Sequence, residues 1–127
     1  LPEDKLVLFT QFSPKNELHF QGIVNSIVDI NSTRKADLSL VDGIVGMQGD
    51  GPLYGDSIKS NILLMSDDPV AIDATCARLM GFDPAKIDHI GLSAKVGLGN
   101  LESDKIKLVG MKVGEFPQLK FDSPSGF

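Results

Sequence analysis

The 127 residues, with a formal charge of −5 and no lysine- or arginine-rich stripe, exclude a chain that grips nucleic-acid phosphates by charge. One tyrosine and no tryptophan leave few stacking platforms for single strands. The single cysteine, Cys76, excludes an internal disulfide framework and an iron–sulfur cluster held within this chain alone.

In chain order, Lys5–Thr10 (KLVLFT) is a short apolar run and reads as a buried strand. Ser13 and Pro14 open a helix to Asn31, with Phe20, Ile23, Val24, Ile27 and Val28 along one face. Ala36–Gly43 reads as a second strand. Gly43–Ser60 shows no periodicity and reads as a loop of about 18 residues, a length uncommon without a purpose. Asn61–Ser66 is a continuous apolar run, as in a strand covered on both faces.

Ser66–Gly81 carries the clearest helix signature: Asp68 as N-cap, Pro69 at the first position and Gly81 just past the end. Asp83 and Pro84 start a shorter helix to about Val96, and Lys105–Gly110 reads as a fourth strand. Phe116, Leu119 and Phe121 dock an irregular tail on the body. This alternation predicts one α/β domain over 1–127: a layered, mainly parallel or mixed sheet of about four strands with flanking helices. No signal peptide or long apolar span is evident, so a cytoplasmic chain with no membrane partner is expected. The start at Leu1 suggests a fragment of a longer protein.

The stretch VDGIVGMQGDGPLYGD, Val41–Asp56, concentrates glycine and aspartate. It lacks the Gly-Lys-Ser/Thr of a P-loop and the G-x-G-x-x-G of a dinucleotide fold. Asp42, Asp50 and Asp56 would repel a bare phosphate by roughly 4 kcal/mol per close pair at about 4 Å. They suit a divalent cation (Mg, Mn or Ca) or a polar ligand instead, with Gly43, Gly49 and Gly51 letting backbone approach it. The competing explanation is turn chemistry: glycine supplies positive φ, and aspartate bonds its own backbone. Asp68 reads chiefly as a cap. Asp73 lies on the helix side of Cys76, Ala77 and Met80, where a carboxylate needs a partner or points into a site. Were the second and third strands parallel, Asp42 and Asp67 would share one carboxyl edge, the edge that binds ligands in such sheets. His19 and His89 read as structural, and Cys76 as an inert core thiol.

LSLVDGIVGMQGDGPLYGD followed by LLMSDDPVAIDATCARLMGFDP resembles the prokaryotic family known as domain of unknown function 362, over about His19 to Gly110. The matching residues are Asp42, Gly43, Gly46, Gly49, Gly51, Pro52, Gly55, Asp68, Pro69, Ala71, Asp73 and Gly81. The resemblance implies a C-terminal half, with an N-terminal half missing. Many members carry ferredoxin-like cysteine clusters, which this chain lacks. Two functions follow as expectations: a half-domain binding a polar or metal-bound ligand through the Gly/Asp segment, or an interaction module packing on the missing half or on a second copy.

Overall fold

The computed structural model describes residues 22–111, 113–116 and 119–125. The strand expected at Lys5–Thr10, His19, and the first part of the helix expected from Ser13 lie outside the described residues. The elements in order are α1 (Ile23–Thr33), β1 (Ser39–Asp50), β2 (Tyr54–Ser66), α2 (Pro69–Met80) and α3 (Asp88–Lys95), with 3-10 turns between and after the last two.

The expected four-stranded, mainly parallel sheet is not what forms. Among the described residues the sheet has two strands, β1 and β2, paired antiparallel from Ser39↔Ser66 to Asp50↔Tyr54. The segment read as a long loop is the distal half of this hairpin, and Gly51-Pro52-Leu53 is its turn. Glycine is a poor strand former, which hides the strand from a propensity reading. Close contacts require it here. A Cβ on Gly43 would stand 3.2 Å from the Ile62 carbonyl, and one on Gly55 would stand 2.7 Å from Met47 Cγ.

The register slips once. Gly43 faces Ile62 but Val45 faces Lys59, so Ser60 and Asn61 of β2 oppose Ile44 alone. Asn61 takes the left-handed conformation (φ 54°) that such a bulge demands and that asparagine tolerates. The bulge keeps Ile62, Ser60 and Ile58 on the inner side. The outer side carries Leu40, Leu63, Met65, Ile44, Val45 and Met47, all more than half exposed.

α2 forms as its sequence dictates. Asp68 caps it, Pro69 occupies the first turn, and Gly81 closes it at φ 90°. Val70, Ala74 and Ala77, at i, i+4 and i+7, face Ile90 of α3 and make the core. Phe82, Ile87, Leu98, Leu101 and Ile106 pack around them. Burying a valine or isoleucine there is worth about 1.5–3 kcal/mol. The start at Asp83 and Pro84 yields a 3-10 turn, Pro84–Lys86, and α3 follows it. No strand forms at Lys105–Gly110; Ile106 joins the core, while Leu108, Val109 and Met111 are exposed.

Candidate functional site

Apart from Asp42 and Gly43, the expected site residues fall into three places. At the start of α2, Asp68 Oδ1 accepts the Val70 and Ala71 N–H groups, each at 2.9 Å. Its Oδ2 accepts the Asn100 N–H at 2.9 Å and the Asn100 Nδ2 at 3.0 Å. The carboxylate is thus fully engaged as a pin between α2 and the Gly97–Leu101 loop. Partial burial pushes Asp68 up. The hydrogen bonds from Ala71 and Asn100, with the Lys35 charge nearby, outweigh it and hold the carboxyl below its ordinary range. A Cβ on Gly99 would collide with this carboxylate, so glycine is required beside it. Arg78 Nη2 donates to the Leu101 carbonyl at 2.6 Å and fixes the same loop to α2.

The second place is the far end of the hairpin. Asp50 pairs with Tyr54 and Gln48 with Asp56, so Asp50 and Asp56 are diagonal neighbours about 7–8 Å apart. Asp50 Oδ1 accepts both the Ser125 N–H at 2.7 Å and the Ser125 hydroxyl at 2.8 Å. Those two bonds favour the ionised form and hold the Asp50 carboxyl below the usual aspartate range. Gly49, at φ 71°, donates its N–H to the Asp122 carbonyl at 3.0 Å, and Gln48 Oε1 accepts the Asp122 N–H at 3.1 Å. A Cβ on Gly46 would stand 2.8 Å from the Phe121 ring. Much of the Gly/Asp segment therefore serves to seat residues 121–125 along β1. Gly51 makes room for the Met47 side chain.

Asp42 stands apart. It lies eight positions from Asp50 along β1, about 26 Å at the usual rise. Its Oδ1 accepts the Ile44 N–H at 3.1 Å, a local turn bond beside the bulge. Antiparallel pairing puts it nearer the α2 end of the hairpin, on the outer face among Leu40, Leu63 and Ile44. Asp42, Asp50, Asp56 and Asp68 are therefore not brought into one cluster. No group of three or more His, Cys, Asp or Glu side chains close enough to hold a metal ion occurs among the described residues.

The third place is a cavity of about 360 Å³ bounded by Asp73, Cys76, Met80 and His89, the Phe121–Pro124 segment, and β1 at Met47–Gly49. Asp73 is exposed as a residue, yet neighbouring atoms desolvate its carboxyl and raise it, while the His89 charge pulls it back. Burial, then the Asp73 charge, pushes the Cys76 thiol up to about 11. The thiol is protonated at neutral pH, which matches an inert residue.

The sequence reading missed Asn100 and Ser125, each far along the chain from its partner, and named Phe121 as a docking residue without its seat on Gly46. The Gly97-Leu98-Gly99-Asn100 run was the available signal, since paired glycines mark a tight approach. Also unforeseen is a cleft of about 1020 Å³ between α1, α3 and this loop, where Lys35, Lys95 and Lys105 alternate with Asp68, Asp88 and Glu102. No helix among the described residues is long and apolar enough to cross a membrane.

The chain is 36% identical over 62 residues to the Thylakoid-associated protein sll1697 of Synechocystis sp.. That stretch is 49% of this chain and 19% of the relative, so the match spans about a fifth of the relative's length. No solved structure matches. The family model described as Domain of unknown function (DUF362) matches residues 8–78, more than half of the sequence, starting earlier and ending sooner than the resemblance suggested, and the chain belongs to that family.

Proposed function

We propose that the chain is an assembly module of a longer DUF362 protein, in which the outer face of the hairpin packs against a further layer of polypeptide. The carrying observation is that face itself. Leu40, Met65, Leu63, Ile44 and Val45 lie on it, each more than half exposed, with Asp42 and Lys59 as the charged residues among them. A two-stranded sheet is marginal alone, and an apolar outer face of this size belongs inside a larger body. The relative about five times longer than the matched stretch supports a covering layer from the same polypeptide. The C-terminal placement and the cytoplasmic setting expected from the sequence belong to this proposal too. The alternative of a cation or polar ligand held jointly by Asp42, Asp50 and Asp56 is the less favoured one, given the span between Asp42 and Asp50.

The test is the pair Leu40→Glu and Leu63→Lys, made in this chain and at the aligned positions of a longer family member. In the 127-residue chain the pair leaves the melting temperature within a degree or so and abolishes binding of an apolar fluorescent dye. In the longer protein it lowers the melting temperature by several degrees, because the face is covered there. Equal dye binding by wild type and variant, or no loss in the longer protein, rejects the reading.

A further inference from the structure

The cavity under Phe121–Pro124 differs in kind from the outer face. It holds about 360 Å³, at the small end of the range for ligand sites, about 300–1,000 Å³. Its walls come chiefly from α2, α3, β1 and the segment Phe121–Pro124, and they are tied together. Phe121 N–H donates to the Met80 carbonyl of α2 at 3.2 Å, and Gly49 N–H of β1 donates to the Asp122 carbonyl at 3.0 Å. The bonds from Ser125 to Asp50 hold the end of the same segment. Walls fixed in this way lose little freedom when a ligand enters.

Most of the wall is apolar: Met47, Met80, Phe82, Ile87 and Phe121 border it. Asp73 and Asp122 are its carboxylates and His89 its basic side chain, and no lysine or arginine among the described residues joins them. Asp73 lies three positions before Cys76 and seven before Met80, so it shares their side of α2. Neighbouring atoms desolvate its carboxyl, and it makes no hydrogen bond with a described residue. A carboxylate so placed favours a cation that brings its own hydrogen-bond donors. A metal ion is a poor match, because no group of three or more His, Cys, Asp or Glu able to hold one occurs among the described residues. An ammonium group needs a single carboxylate. An aromatic body suits the rings of Phe82 and Phe121 and the thioethers of Met47 and Met80. We infer that this cavity binds a small arylalkylamine, with its ammonium on Asp73 and its ring among Met47, Met80 and Phe121.

The experiment uses the 127-residue chain with carbon-13 in its methionine methyl groups, followed by NMR at pH 7. The probes are 2-phenylethylammonium, 2-phenylethanol, phenylacetate and n-butylammonium. The expected result is a saturable shift of the Met47 and Met80 methyls with 2-phenylethylammonium, while Met65, on the outer face, stays still. The alcohol has the same body without the charge and binds about tenfold more weakly, and phenylacetate binds more weakly again. Asp73→Asn brings the amine down to the level of the alcohol and leaves the alcohol unchanged. Equal binding of amine and alcohol by the wild type, or a preference that survives Asp73→Asn, would overturn the inference. No shift with any probe would do the same. Movement of Met65 in place of Met47 and Met80 would put the probe on the outer face and overturn it too. Butylammonium binding as tightly as phenylethylammonium would assign the cavity to a lysine side chain from another segment and overturn the small-ligand reading.

Discussion

Asp68 and Asn100, 32 positions apart, are joined by two hydrogen bonds to one carboxylate oxygen, from the Asn100 backbone N–H at 2.9 Å and its side-chain Nδ2 at 3.0 Å. The other oxygen caps α2. One side chain thus performs a local task and a long-range one. Substitutions separate them. Asp68→Asn keeps a cap acceptor but turns an amide NH₂ toward two donors, so the loop tie is lost. Asp68→Ala loses both. The expected cost is about 1 kcal/mol for asparagine and roughly 2–3 kcal/mol for alanine, read by urea unfolding. No cost for asparagine would show that the Asn100 bonds add nothing, and equal costs that the cap adds nothing.

The same carboxylate gives the chain an acid limit. Its folded value lies below the ordinary aspartate value. Such a group contributes stability above its unfolded value, near 3.9, and loses that contribution as pH falls through the folded value. Wild type therefore loses stability below about pH 4 more steeply than Asp68→Asn. Melting temperatures of the two between pH 6 and pH 3 should converge as the pH drops. Parallel curves would contradict the assignment.

Gly99 is held to glycine by this pair. An added methyl meets the Asp68 carboxylate and stands 2.9 Å from Val70 Cβ. Both neighbours are fixed, one by four hydrogen bonds and the other by the core. Gly99→Ala should cost about 1–3 kcal/mol. Because the strain arises against Asp68, its cost should shrink by a measurable fraction in an Asp68→Ala background, as a double-mutant cycle would show.

α2 was legible because its signals are local: a cap, a proline and a closing glycine within Asp68–Gly81 suffice to fix both ends. The hairpin was not, because its glycines answer to distant atoms. Gly46 faces Phe121 and Gly43 faces Ile62, and neither relation shows as periodicity. Asp42 and Asp50 looked like one acidic group because they are close in sequence. An extended strand separates them instead, which reading the segment as a coil could not foresee. Asp68 was correctly assigned as a cap, but its bond to Asn100 depends on the packing of α3 and the following loop. Lys105–Gly110 has strand composition without a strand partner among the described residues.

Gly46 and Phe121 set the seat of the tail. The ring lies where a Cβ on residue 46 would be, and Phe121 N–H also donates to the Met80 carbonyl at 3.2 Å. Gly46→Val should lift residues 121–125 from β1 and speed their proteolytic cleavage, with a stability loss of about 1–3 kcal/mol. Phe121→Ala alone also loosens the tail, but adding it to Gly46→Val costs less than the sum, since the ring and the new side chain contest one space. Additive costs would mean that Phe121 does not sit on Gly46 in solution.

Cys76 offers a chemical test of the cavity under the tail. Burial and the Asp73 charge set its thiol at about 11, so near pH 8 only about one molecule in a thousand carries the thiolate. Alkylation by iodoacetamide should therefore be slow at pH 8 and rise roughly tenfold per pH unit up to about pH 10. Asp73→Asn removes the secondary, electrostatic cause and leaves burial in place, so the alkylation profile moves to lower pH by a fraction of a unit. Lifting the tail with Gly46→Val opens the cavity that Phe121 borders with Cys76, and should accelerate alkylation more than Asp73→Asn does. A thiol that reacts at neutral pH as fast as free cysteine would show that the cavity is open in solution and that the tail does not cover it.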